Sequence, residues 1–155
     1  MYRITIQSIA EPIFVPKITA IRMWAKATLR DRIPAAELTI RIVDTEEMIA
    51  LNETYRHKKG PTNVLSFPFE DEFHHDQRVP PLGDIAICAA IVNAEALAQH
   101  KAALAHWAHM VVHGVLHLLG YDHQEPQAAE KMESEEIQLL HNFGFNNPYD
   151  LGSTS

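Results

Sequence analysis

The chain has 155 residues, of which 46% are hydrophobic and 21% charged, and its formal net charge is −7. Such a composition suits one globular domain over residues 1–155 with a core of its own, and it excludes a uniformly basic nucleic-acid coat. The single cysteine, Cys88, excludes an internal disulfide and fits a reducing compartment; within the apolar run 85–91 it reads as a buried, inert thiol.

Residues 2–9 alternate like a strand and lack the apolar centre of a signal peptide. No stretch approaches the roughly 18 apolar residues of a membrane span, so the expected location is the cytoplasm, with no membrane partner. Residues 17–31 form the pattern of a helix, with Ile18, Ile21, Trp24, Ala25, Thr28 and Leu29 as its apolar stripe. Its other side carries Lys17, Arg22, Lys26 and Arg30. Residues 38–43 make a second strand. Asp44 or Thr45 can cap the next helix, which runs to about Tyr55 with Glu46 and Glu47 in its first turn.

Residues 56–62 are a charged loop with Gly and Pro, and Val64-Leu65-Ser66-Phe67 is a short strand stopped by Pro68. Residues 70–82, acidic and rich in His and Pro, read as a mobile excursion. Residues 83–88 are a fourth strand. Helices follow at 89–100, 103–119 and 126–143, the last with Pro126 at its start and Gly144 past its end. Its glutamates, Glu130, Glu133, Glu135 and Glu136, read as a solvated face, and the tail from Gly152 to Ser155 as disordered. Four strands with flanking helices in this order indicate an α+β fold.

Charge is unevenly spread. Residues 1–60 hold ten Lys/Arg against seven Asp/Glu, and residues 61–155 hold three against thirteen. Arg22, Lys26 and Arg30 share a helix face that either contacts RNA or simply keeps the helix solvated.

The most informative stretch is His113-Gly114-Val115-Leu116-His117-Leu118-Leu119-Gly120-Tyr121-Asp122-His123. His113 and His117 are four apart, so on a helix they lie one turn apart on one face. Gly120 suits the left-handed turn that ends a helix, after which the chain can bring His123 back to the same ion. Three neutral imidazoles leave a fourth position for water, the pattern of a catalytic zinc site. A carboxylate as third ligand, or nickel or copper in place of zinc, stays open. Of the ten histidines in the chain, His106 and His109 also fall on this helix and read as surface or core residues. The spacing matches the metzincin protease pattern except that Gly114 stands where the general-base Glu would be. That difference weighs against peptide hydrolysis.

The same stretch resembles the signature of the bacterial YbeY family. Three further segments fit that family in order: Leu51-Asn52-x-x-Tyr55-Arg56, Pro61-Thr62-Asn63-Val64-Leu65-Ser66-Phe67-Pro68, and Leu82-Gly83-Asp84-Ile85-x-Ile87-Cys88. The resemblance spans roughly residues 38–150. It implies a small mixed four-stranded sheet packed with about five helices, and a three-His zinc site at the end of a central helix. It also implies a single-strand-specific endoribonuclease acting at the 3′ end of small-subunit ribosomal RNA and in ribosome quality control. By this likeness the metal ligands are His113, His117 and His123, binding one Zn2+ or another divalent transition metal, and His113 and Arg56 are catalytic, the former through a metal-activated water. Arg56 suits a phosphate clamp because a guanidinium makes paired, charge-assisted hydrogen bonds. Lys58 and Lys59 are further candidates for substrate contact, Asn63 and Ser66 weaker ones, and Asp122 either orients a ligand or caps its turn. Ribosomal proteins or a ribosome-associated GTPase are the partners this implies. The competing readings are a metzincin-like zinc peptidase or amidase, and a non-catalytic ribosome assembly factor with a structural metal.

Overall fold

A computed structural model describes residues 1–70 and 78–150. Alternation of buried and exposed side chains builds β1 (Tyr2–Gln7) and β2 (Ala36–Val43), which pair in parallel with Ile4 beside Leu38 and Ile6 beside Ile40. β3 (Val64–Pro68) and β4 (Pro81–Cys88) complete the sheet in the order β1-β2-β4-β3. β4 is parallel to β2 and antiparallel to β3, so the sheet is mixed.

The helices are α1 (Ile18–Arg30), α2 (Thr45–Leu51), α3 (Ala89–Ala98), α4 (Ala103–Leu118) and α5 (Pro126–Asn142). The expected α+β architecture is the one found, with four strands and five α-helices among the described residues. α1 buries Ile21, Trp24, Ala25, Thr28 and Leu29, while Ile18 stays exposed. Asp44 caps α2 by accepting a hydrogen bond from Glu47 N at 2.7 Å.

α4 runs through the middle of the core. Trp107, Val111, Val112, Val115 and Leu116 are buried on it, in one cluster with Ile40, Ile85 and Ile87 of the sheet and Trp24 and Leu29 of α1. The other sheet face holds a smaller cluster of Val43, Met48, Leu65, Ala86 and the buried Cys88. No helix among the described residues is long and apolar enough to cross a membrane.

Three expectations need correction. α2 does not continue to Tyr55: at Asn52 it widens into a π-helical turn, Asn52–Arg56, ended by His57 at φ 55°. β4 starts at Pro81 rather than Gly83. Glu37 N bonds Pro80 O at 2.9 Å and the β2–β4 register slips between Glu37 and Leu38, so the proline takes the first strand position, where its missing N–H breaks no regular ladder. Glu136 is not on a solvated face; it is fully buried. Most of the mobile segment expected at 70–82, and the disordered tail, lie outside the described residues.

Candidate metal centre and nucleic-acid cleft

The C-terminal end of α4 places the histidines. Leu119 is followed by Gly120 at φ 101°, whose N–H bonds His117 O at 3.0 Å, while Tyr121 N bonds Leu116 O at 3.0 Å. This paired closure is a Schellman motif, and it needs a residue without a Cβ penalty at positive φ. Asp122 then folds its side chain back: Oδ1 accepts from His123 N at 2.6 Å and Gln124 N at 3.2 Å. That turn returns His123 to the end of the helix.

His113, His117 and His123 each offer a ring nitrogen, and the three lie within 4.8 Å of one another. His113 Nε2 and His117 Nε2 are 3.1 Å apart. Ligands at about 2.0–2.1 Å around a tetrahedral ion stand about 3.3 Å apart, so the donors fit one transition-metal ion. His117 loses proton affinity to burial and to the neighbouring His113 and His123, which together hold its pKa at about 4. The neutral ring that a metal needs is therefore its resting form near neutral pH.

α4 meets the sheet at Gly114. A Cβ there would stand 2.9 Å from Ile85 Cγ2 and 3.4 Å from Val64 Cγ2. The Gly114 carbonyl accepts a hydrogen bond from Ser66 Oγ at 3.0 Å, tying β3 to α4. Ser66 therefore has a structural bond as well as a place beside the site.

The three histidines form one wall of a cleft of about 560 Å³. Asn63, Thr62 and Ser66 line another part, and Arg56 and Lys58 enter from the loop after α2. Asp122 is the one carboxylate among the described lining residues. Lys59 is exposed but does not line the cleft, which separates it from Lys58. Arg22, Lys26 and Arg30 are exposed on α1 and are likewise absent from the cleft wall.

Three residues escaped the reading of the sequence as functional. Asn52, 5% exposed, donates from Nδ2 to Gly60 O at 2.9 Å, and its backbone carbonyl accepts from His57 N and Lys58 N, so it shapes the loop that carries Arg56 and Lys58. Glu136 accepts from His113 Nδ1 at 2.9 Å and His109 Nε2 at 3.0 Å. Tyr149 donates to its other oxygen at 2.6 Å. Burial works to raise the Glu136 pKa, but the hydrogen bonds from His109 and His113, with the electrostatic attraction of the two rings, outweigh it and hold it at about 2. Burial and the Glu136 carboxylate push the Tyr149 hydroxyl up, so it stays a donor. A signal for Glu136 did exist: it lies four residues from both Met132 and Leu140, inside the buried stripe of α5.

An α+β protein with three convergent imidazoles on an open, polar cleft falls in the class of proteins that could hold a metal ion there. Comparison with known families narrows this class. The endoribonuclease YbeY family matches residues 14–144, and the chain belongs to that family. The solution structure of TM1509 from Thermotoga maritima is similar in fold, with a TM-score of 0.58 and 23% identity over 93% of this chain and 92% of that chain.

Proposed function

We propose that this chain, folded as one unit, is a zinc-dependent endoribonuclease that cuts single-stranded RNA. Its place is the cytoplasm, in maturation of the 3′ end of small-subunit ribosomal RNA and in ribosome quality control. Ribosomal proteins or a ribosome-associated GTPase then deliver it to its substrate. Membership of an endoribonuclease family supports the reaction class. The observation that carries the site assignment is that Arg56 and Lys58 share one cleft with His113, His117 and His123.

His113, His117 and His123 would hold the ion. When bound, it supplies positive charge, either to acidify an attacking water or to neutralise a phosphoryl oxygen. Arg56 holds the scissile phosphate with a bidentate guanidinium contact, and Lys58 adds a point charge beside it. Asn63 and Thr62 offer polar contacts to the sugar and base of an unpaired nucleotide. Asp122 spends one oxygen on two backbone N–H groups, so its first role is to hold the turn bearing His123.

A peptidase reading is disfavoured by packing as well as by residue type. The position of the metzincin general base is Gly114, and a side chain there would collide with Ile85. The test is cleavage of a single-stranded RNA oligomer and its duplex by purified protein and by His113→Ala. The proposal expects cleavage of the single strand alone, abolished by the substitution. Equal cleavage by both proteins, or peptide cleavage without RNA cleavage, would overturn it.

A further inference from the structure

Glu136 places a carboxyl group in full burial on α5. Such a group is costly unless every lone pair has work to do. Here Oε1 receives the Tyr149 hydroxyl at 2.6 Å, and Oε2 receives His113 Nδ1 at 2.9 Å and His109 Nε2 at 3.0 Å. With one oxygen shared by two imidazoles and the other taken by a hydroxyl, the carboxylate is placed as the acceptor of all three contacts, and the nitrogen that each imidazole turns towards it is then the donor. On His113 that places the proton on Nδ1 and leaves the Nε2 lone pair facing His117.

We infer that Glu136 is a positioning residue for the metal centre: braced by Tyr149 and His109, it fixes the tautomer and ring orientation of His113 before any ion arrives. The inference rests on the reading of His113, His117 and His123 as metal ligands. A ligating histidine held through its second nitrogen by a carboxylate is a more basic and better oriented ligand. The bracing comes from two directions. His109 lies one turn before His113 on α4, while Tyr149 reaches in from the segment after α5. That segment is itself tied down where Lys101 Nζ donates to Pro148 O at 2.9 Å.

His109, His113 and Glu136 also stand close enough to form a cation-binding group of their own. Their separations are hydrogen-bond lengths, and His109 and Glu136 are buried. A cation there would take His113 Nδ1 away from its role as donor. Metal stoichiometry separates the two arrangements.

The experiment compares wild type with Glu136→Gln, Glu136→Leu, Tyr149→Phe and His113→Ala. Zinc affinity is measured by competition with a chromophoric chelator, and the His113 tautomer by long-range 1H–15N correlation on metal-free wild type. Gln keeps an acceptor for His113 but removes the charge; Leu removes both. The expected result is one zinc per chain, Nδ1–H on His113 in the metal-free protein, and affinity falling in the order wild type, Gln, Leu. The Leu variant should lose about 10–100-fold, and Tyr149→Phe less than Leu. If Leu does not fold, the wild-type tautomer and the Gln and Phe affinities still decide. Wild-type affinity in the folded Glu136 variants, a proton on Nε2 of metal-free His113, or a second zinc lost with Glu136 would overturn the inference. Zinc binding indifferent to His113→Ala would instead overturn the metal-site reading beneath it.

Discussion

Gly114 and Ile85 are in a contact that tolerates no added atom: a Cβ at 114 would stand 2.9 Å from Ile85 Cγ2. The methyl branches directly from the Cβ of a fully buried central-strand residue, so it can move aside only by a χ1 rotation that the packed core opposes or by a shift of β4. This contact sets how closely α4, and with it His113 and His117, approaches β3 and the cleft.

Gly114→Ala therefore sets two effects against each other. Alanine gains about 1 kcal/mol of helix propensity, while overpacking costs about 1–3 kcal/mol. The expected net result is a loss of about 1 kcal/mol, read as a lower urea midpoint. Gly114→Glu should lose more and gain no peptidase activity. A higher midpoint for either would show that the contact is loose.

Gly120→Ala tests the helix end. The φ of 101° penalises any Cβ, at about 1–2 kcal/mol by analogy with left-handed backbone. Because Gly120 lies between His117 and His123, zinc affinity should fall at least tenfold in a protein that is still folded. Calorimetric titration with zinc checks this, and unchanged affinity would separate the turn from the site.

Asn52→Ala removes the bond to Gly60 O. The half-buried acceptor it leaves is reached by water, so the loss is about 0.5–1.5 kcal/mol. Since the same residue shapes the loop bearing Arg56 and Lys58, RNA cleavage should suffer chiefly through a raised KM, with zinc affinity unchanged. Steady-state kinetics beside a zinc titration distinguish this from general loosening.

The cleft sorts the basic loop residues. Arg56→Ala should weaken binding of single-stranded RNA and reduce the magnitude of the slope of log K against log salt by about 0.7 for a lost phosphate contact. Lys58→Ala should do the same to a smaller degree, and Lys59→Ala should leave the slope unchanged. Fluorescence anisotropy over a salt series reads all three.

Acid should destabilise the metal-free protein in two stages. His117 falls from an ordinary 6.5 to about 4 on folding. Between those values the unfolded chain binds more protons, so stability is full above about 6.5 and drains as pH falls towards 4. Glu136 falls from 4.5 to about 2, so its contribution is full above 4.5 and is lost as pH falls towards 2. Thermal melts from pH 7 to pH 2 should show Tm falling throughout. Glu136→Gln should flatten the lower stage, and a flat wild-type profile would contradict both shifts.

Local rules made much of this protein legible from its residues. Helical spacing paired His113 with His117, and Gly120 announced the turn that returns His123. Asp44 was readable as a cap because its role lies within its own helix. The glutamates that α5 carries on several sides make Glu136 look solvated in the sequence, and only the packing of α5 on α4 shows that this one faces His113 and His109. The π-helical turn at Asn52–Arg56 was hidden for a similar reason. Asn52 stabilises it through Gly60, a bond eight residues away that helical periodicity does not reveal. Gly114 was legible as a missing base, but its contact with Ile85 is a tertiary fact.

The most direct measurement is zinc-edge X-ray absorption on protein loaded with one equivalent of zinc, for wild type and His117→Ala. The account predicts three imidazole nitrogens at about 2.0–2.1 Å with one further light-atom ligand, and loss of that pattern in the variant. Zinc bound without three imidazoles, or an identical spectrum from His117→Ala, would contradict it.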